Sequence, residues 1–373
     1  MARKILNNTV LNVAIVGCGW VAGSQMANGF AQLPDQFRVT IACDSDFARA
    51  TEFAARYGIE RISASIEDVL CDPSVDVVSI CTPPALHFEM VSAALLAGKH
   101  VVCEKPFTSS LERMDKVIEL ERQCSSRVMP IFQYRFFPGF QRVRRILRSG
   151  VAGKCYIASV ETAWKRGADY YSVPWRGKFA KERGGVLLTQ SIHIHDLFLD
   201  LCGPVAEVKA FKTTRVNPIE VEDCAVAALR MADGSLASLT ATLGSQRPTT
   251  RIRLCFENLT VERLCFDDEA PRPGEEPWSI TPRDESVAKA IAAIPTPSAS
   301  LRSFAAQFSG FYDVLAQGGD MPVTLADARR SLELVTALFH ASEMDETVTL
   351  PIGCDHSRYS GWVTSQSPAG LPL

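Results

Sequence analysis

The stretch Leu11-Asn12-Val13-Ala14-Ile15-Val16-Gly17-Cys18-Gly19-Trp20-Val21-Ala22 joins an apolar run to a glycine-rich turn. Leu11 to Val16 is apolar except at Asn12, as a buried parallel strand should be. Gly17-x-Gly19-x-x-Ala22 then opens a helical stretch to about Ala31, the form of a dinucleotide fingerprint. Gly17 permits the tight turn, Gly19 lets a pyrophosphate approach the backbone, and Ala22 keeps the helix close to the strand. Trp20 and Val21 lie inside the motif and count among the cofactor-binding candidates. A second strand, Phe37 to Cys43, ends in Asp44, near the expected position of an acid that binds the adenosine ribose. Asp44 is equally suited to cap the helix that starts near Phe47, and the fingerprint before it favours the ribose role. A carboxylate there repels a 2′-phosphate, and Ser45 follows in place of an arginine, so NAD is favoured over NADP.

Helix and strand signals go on alternating. Phe47, Ala50, Ala54 and Tyr57 share a helical face closed by Gly58. Val75 to Cys81 reads as a strand, followed by Thr82-Pro83-Pro84 and a helix from His87 to Gly98. Thr82, Pro83 and His87 are further cofactor-side candidates. The run His100 to Cys103 then leads into Glu104-Lys105-Pro106. Proline stops the strand, which leaves Lys105 at its carboxyl end, where ligands of open α/β sheets bind. Ser109 with Glu112 reads as a capping box for the next helix, and Val128 to Phe132 as the last strand. Repeated βα units of this kind predict a doubly wound parallel Rossmann sheet over residues 1–135.

The pattern changes after about residue 135. Six stretches between Lys154 and Phe266 read as strands in close succession, with a hairpin turn at Ala232-Asp233-Gly234-Ser235. A mainly antiparallel, open-faced α+β domain is expected over 136–373. Small apolar residues (Ala225, Ala227, Ala237, Ala241) suggest a covered face, with a second subunit of a homodimer or homotetramer as the cover. Asp267 to Ser300, rich in proline, is expected to be an irregular loop. Phe304, Phe308 and Phe311 mark a helix, and another runs from about Leu325 to Ser342.

Composition excludes several classes. The 373 residues are 47% apolar and 22% charged, with a net charge of −3, which suits a two-domain globular protein and not a nucleic-acid binder. The densest basic run, Arg142-Val143-Arg144-Arg145, reads as a solvated helix face. No apolar run reaches the ~18 residues of a membrane span, and the first ten residues are too short and polar for a secretory signal. Twelve cysteines without a Cys-x-x-Cys pair read as reduced thiols of a cytoplasmic protein, with no metal site.

The second domain carries its own constellation: Trp175-Arg176-Gly177, then Gly184-Gly185-Val186-Leu187-Leu188-Thr189-Gln190-Ser191-Ile192-His193-Ile194-His195-Asp196. On one helix Thr189 and His193 would share a face, Asp196 would orient the His193 imidazole, and His195 would point elsewhere. A neutral imidazole beside Lys105 would complete a proton-transfer pair, while a core histidine is the plainer reading. Tyr134, Arg135, Trp175 and Arg176 are candidate substrate or interface groups, and Trp175 is equally a packing residue.

With these residues the chain resembles the glucose–fructose oxidoreductase/inositol dehydrogenase/rhizopine catabolism (Gfo/Idh/MocA) family from about Val13 to Pro351. The carriers are the glycine motif, Cys43-Asp44, Thr82-Pro83-Pro84-x-x-His87, Gly98-Lys99-His100-Val101, Glu104-Lys105-Pro106, Trp175-Arg176-Gly177 and Gly184-Gly185…His193…Asp196. The resemblance implies oxidation or reduction of a sugar, cyclitol or related polyol with NAD(P). It also implies that Lys105 is the catalytic lysine and His193 the active-site histidine. Thr189 stands where many members, inositol dehydrogenases among them, place aspartate, and Arg183 replaces the first glycine of the usual triplet. Thr189 to His193 looks more like members acting on pyranosides or nucleotide sugars. The expectation is an NAD-dependent dehydrogenase of a secondary alcohol on a sugar-like ring. Its rivals are a glycosidase or lyase that uses NAD transiently, and a non-catalytic sensor.

Overall fold

The computed structural model describes residues 9–268, 278–296 and 300–362. These residues fold into two compact units, 9–133 with 301–329, and 134–268, 278–296 and 300 with 330–362.

The first unit is built on a six-stranded parallel sheet of β1 (Leu11–Val16), β2 (Phe37–Cys43), β3 (Arg61–Ser63), β4 (Val77–Ile80), β5 (His100–Cys103) and β6 (Val128–Pro130), in the order β3-β2-β1-β4-β5-β6. β4 and β5 are buried throughout, which accounts for their unbroken apolar runs. The order reverses between β1 and β4, the switch point at which such sheets bind ligands. Asp46 caps the helix Phe47–Tyr57 by accepting the Arg49 N–H, so Asp44 is released from the capping role. At the helix Leu111–Gln123 the cap is Ser110, one residue beyond the Ser109 read from the sequence.

Residues 301–329 depart from the sequence expectation, which assigned them to the second domain. The helix Ser303–Gln317 packs on the first unit instead. Phe308 stacks on Phe30 at 4.4 Å between ring centroids, Tyr312 meets Phe37 edge-on at 5.7 Å, and Gln307 Nε2 donates to the Pro130 carbonyl at 2.8 Å. The phenylalanines fill an apolar surface that the βα units leave open.

The second unit is built on an eight-stranded sheet of β7 (Cys155–Lys165), β8 (Val205–Thr213), β9 (Cys224–Met231), β10 (Leu236–Thr242), β11 (Gly244–Phe256), β12 (Leu259–Phe266), β13 (Ser279–Pro282) and β14 (Val348–Thr349). Its order is β13-β12-β11-β7-β10-β9-β8-β14, antiparallel except between β7 and β10. Burial alternates along β9 and β10, so one face is covered and the other open. The helix Ile192–Cys202 contacts β7. In the hairpin turn Gly234 takes φ +87°, and Asp233 Oδ1 accepts the Ser235 N–H at 2.9 Å.

Two further expectations change. Within Asp267 to Ser300 the chain forms β13 and the helix Glu285–Ala293, capped by Asp284; residues 269–277 and 297–299 of that stretch lie outside the described residues. The basic run is not simply solvated: Arg142 Nη2 donates to the Ile291 carbonyl at 2.7 Å, and Arg144 Nε pairs with Asp200 at 2.8 Å. Among the described residues no helix is long and apolar enough to cross a membrane.

Candidate active site

In the first unit the glycine turn is wedged between its neighbours. Gly17 lies at φ +93° and donates its N–H to the Cys43 carbonyl at 2.8 Å. A Cβ there would meet the backbone of Cys81 and Thr82 at 2.8 Å, so the turn sits at the carboxyl ends of β2 and β4 together. A Cβ on Gly19 would meet nothing within 4 Å, which leaves open space at the N-terminus of the helix Trp20–Asn28. Trp20 is largely exposed and Val21 half-buried. The Asp44 carboxylate accepts the Cys18 N–H at 2.9 Å and the Asp46 N–H at 3.0 Å, with Arg49 Nη1 3.4 Å away. A free helix N-terminus, an uncrowded glycine and a fixed carboxylate fit a dinucleotide.

Lys105 is half-buried at the end of β5. Beneath it runs a chain of buried polar groups. Ser79 Oγ donates to Gln25 Oε1 at 2.6 Å, Gln25 Nε2 donates to Glu104 Oε1 at 2.9 Å, and the Lys105 N–H reaches Glu104 Oε2 at 3.2 Å. Burial pushes the Glu104 carboxyl above its ordinary range, against the Lys105 charge and the Gln25 hydrogen bond. His87 has no exposed surface. Its Nδ1 lies 2.9 Å from the Pro106 carbonyl and its Nε2 2.8 Å from that of Thr82, so it ties the ends of β4 and β5 together. Burial lowers its pKa, with the carbonyl contacts acting against the shift. Thr82 is half-buried and Pro83 exposed beside it.

In the second unit, Tyr134 and His193 stack with ring centroids 4.5 Å apart and planes at 21°. Arg135, a substrate candidate in the sequence, is buried and forms a bidentate pair with Asp196. It is therefore withdrawn from solvent, a change that its charge alone could not reveal. The expected continuous helix from Gly185 is also replaced: Val186–Gln190 forms a π-helical turn, and the α-helix begins at Ile192. Thr189 and His193 thus do not share one α-helical face. Thr189 Oγ1 donates to the Gly185 carbonyl at 2.8 Å, and Gln190 Nε2 donates to the Tyr170 hydroxyl at 3.0 Å. Arg176 lies over the rings of Tyr170 (3.9 Å) and Trp175 (4.7 Å).

Glu222 holds the π turn. Its carboxylate accepts the N–H groups of Gly185 at 2.9 Å and Leu187 at 3.0 Å, and its carbonyl accepts that of Val186 at 2.8 Å. A Cβ at Gly185 would lie 1.8 Å from that carbonyl oxygen, so only glycine fits there. Burial pushes the Glu222 carboxyl up to about 7, with the Gly185 and Leu187 N–H groups opposing the shift. His195 is fully buried, and burial holds its pKa down to about 3. Sequence reasoning missed Gln25, Ser79, Glu222 and Tyr170. Glu222 acts on backbone groups 35 to 37 residues earlier in the chain, and no local pattern marks such a partner.

Comparison with known proteins gives the following. Residues 11–132 match the family model described as an oxidoreductase family with an NAD-binding Rossmann fold, GFO/IDH/MocA, and residues 140–262 match the GFO/IDH/MocA C-terminal domain. An uncharacterized oxidoreductase of Synechocystis sp. is 30% identical over 60% of this chain and 63% of its own length. D-glucoside 3-dehydrogenase of Escherichia coli is 29% identical over 54% of this chain and 56% of its own. The chain thus spans less than two thirds of the length of these curated relatives. The WlbA dehydrogenase from Bordetella pertussis, solved with NADH and UDP-GlcNAcA, superposes with a TM-score of 0.81 at 24% identity, covering 92% of this chain and 100% of that one. At that identity the likeness carries the fold.

Proposed function

The chain belongs to the GFO/IDH/MocA oxidoreductase family, and on that footing we propose that it is an NAD-dependent dehydrogenase of a secondary alcohol on a sugar, glycoside or cyclitol. One observation carries the reading. Lys105 leaves β5 at the same carboxyl edge of the parallel sheet at which the Gly17 turn leaves β1 and Asp44 leaves β2. A cation is thereby offered to a substrate beside the dinucleotide position.

Gly17, Gly19 and the helix start at Trp20 would hold the pyrophosphate, and Asp44 the adenosine ribose. When bound, the nicotinamide accepts or supplies the hydride. Lys105 takes or returns the proton of the reacting hydroxyl, with its backbone fixed by Glu104. In the second unit His193, stacked on Tyr134, is the candidate for contact with a substrate hydroxyl, and Thr189, Trp175 and Arg176 are candidates for orienting the ring. Thr189 contributes only a hydroxyl, which cannot act as a carboxylate base near neutral pH. Names among the relatives and neighbours, D-glucoside 3-dehydrogenase and levoglucosan dehydrogenase, support a sugar-like substrate. A panel of sugars, glycosides and inositols followed by NADH absorbance tests the reading. Turnover with a sugar-like alcohol supports it; no NADH from any member of the panel, with NAD demonstrably bound, overturns it.

Ala227, Ala237 and Ala241, over which the sequence suggested a second subunit, are buried within the chain itself, and we propose instead that a second copy covers the opposite, open face of the eight-stranded sheet. Phe211 faces Val226 across β8 and β9, and Leu236 faces Ile157 across β10 and β7. All four are about half exposed, a run of apolar surface that soluble monomers rarely leave bare.

A further inference from the structure

Three successive backbone N–H groups, those of Gly185, Val186 and Leu187, all end on Glu222. Its carboxylate takes the first and third, at 2.9 and 3.0 Å, and its carbonyl the second, at 2.8 Å. These are the donors that the start of a helix leaves without an internal partner. The acid is given over to this task. It is 4% exposed, and Lys212, whose charge acts on it, pairs with Glu343 at 2.9 Å. The same connection between β8 and β9 also holds the stretch before the turn: the Glu220 N–H donates to the Gly177 carbonyl at 2.9 Å, and the Glu220 carboxylate accepts the Phe179 N–H at 3.0 Å.

Beyond this grip the helix changes register. The Thr189 N–H donates to the Gly185 carbonyl at 2.9 Å, an i→i+4 bond, whereas the Ser191 N–H donates to the Val186 carbonyl at 2.8 Å, an i→i+5 bond. The wider turn places one extra residue, about 100° of α-helical rotation, between Thr189 and His193. Such turns are rare and concentrate at functional sites. The helix that follows is anchored separately, by Asp196 on Arg135 and by the His193 ring on Tyr134. With that end fixed, release of the grip at 185–187 displaces the turn itself, and with it Thr189.

We propose that Glu222 is a positioning residue for the substrate: it holds Val186–Gln190 in the π register and thereby sets where Thr189 stands relative to His193. This rests on the dehydrogenase reading above, in which both residues are substrate-side candidates. Glu222 acts through the backbone and not by contact with the sugar.

The test is Glu222→Gln in the NADH-loaded full chain. Glutamine is nearly isosteric, but its Oε1 accepts one N–H while its amide turns a donor toward the other. Amide exchange at 185–187 should become about tenfold faster or more, the effect of losing one hydrogen bond to a charged group. For a sugar turned over in the panel above, KM should rise by about tenfold or more with kcat nearly unchanged, the mark of lost binding rather than lost chemistry. The ring C–H signals of His193, shifted by the Tyr134 ring and assigned with His193→Asn, should stay where they are in wild type. They report that the second unit is intact. Should Glu222→Gln not fold, wild-type exchange decides: the amides of 185–187 must be protected although they open a helix, and rapid exchange there overturns the proposal. Exchange unaltered by the substitution, an unchanged KM, or a fall in kcat together with loss of the His193 signature also overturns it. The two readings fail separately. No turnover of any sugar with NAD bound removes the dehydrogenase, and the positioning role with it, while exchange still reports the grip on the turn. Turnover with KM unchanged in Glu222→Gln keeps the dehydrogenase and removes the positioning role.

Discussion

Arg135 grips Asp196 through two parallel hydrogen bonds, Nε to Oδ2 at 2.7 Å and Nη2 to Oδ1 at 2.6 Å, with the two side chains only 2% and 1% exposed. Removing Arg135 takes both of these charged hydrogen bonds from a buried carboxylate. Arg135→Met should therefore destabilise the protein by about 3–5 kcal/mol. Arg144→Met should cost less, because Asp200 keeps Arg135 at 3.4 Å. Denaturant unfolding measures both; an Arg135 variant within error of wild type would contradict the assignment of this pair as a structural strut.

Lys105→Met should retain NAD binding and lower turnover by about 10²-fold or more, as expected for loss of a proton-transfer group. Gln25→Leu leaves a buried Glu104 oxygen without its donor, so it should act through Lys105 and shift the pH profile of kcat. Steady-state kinetics across pH distinguishes these outcomes. Near-normal turnover in Lys105→Met removes the catalytic assignment.

Asp44→Ala should narrow the affinity gap between NAD and NADP. The carboxylate that repels a 2′-phosphate is lost, and Arg49, 3.4 Å from it in the wild type, remains. Dissociation constants for the two nucleotides check this, and an unchanged ratio contradicts the ribose role.

Glu222 and His195 tilt the pH dependence of stability in opposite directions. The Glu222 carboxyl rises from 4.5 to about 7 on folding, so its native form holds a proton that the unfolded form releases, and stability falls as pH climbs through that interval. The His195 imidazole drops from 6.5 to about 3, so the unfolded form takes up the proton, and stability rises with pH over that interval. Between 4.5 and 6.5 the two slopes, each about 1.4 kcal/mol per pH unit, should largely cancel. Relative to wild type, His195→Leu should lose stability as pH rises through this window, and Glu222→Gln should gain. Parallel curves for either variant and wild type would rule out its part in the balance.

Sedimentation tests the open sheet face. Wild type should run as a dimer or larger, and Val226→Asp combined with Leu236→Asp should run as a monomer with its fold intact. A monodisperse wild-type monomer at micromolar concentration removes the proposed second copy.

The first sheet was legible because each buried strand is a short apolar run with a turn at its end. Leu11–Val16, Phe37–Cys43 and His100–Cys103 have the limits that the residues suggest. The open sheet was legible as strand-like runs in close succession, with a hairpin turn between β9 and β10. What escaped depends on distant partners. The π turn at Val186–Gln190 is shaped by Glu222, and the burial of Arg135 by Asp196. β13 and the helix Glu285–Ala293 were hidden because proline and acidic residues dominate the composition around them. In the candidate site, Lys105, Asp44 and His193 stood out by residue type and context. Ser79 and Gln25 did not, because a buried serine and glutamine carry no signal until their partner is known.

The placement of residues 301–329 in the first unit bears on how the protein is made. A ribosome finishes all six strands of the parallel sheet long before it reaches Phe308, and until then the Phe30 ring lacks the aromatic partner it stacks on. The nascent nucleotide-binding unit must wait, partly unsealed, while seven of the eight strands of the second sheet are synthesised. Completion of the first unit is thus a late event in the life of the chain, and premature termination before residue 301 yields a sheet with apolar surface open to aggregation.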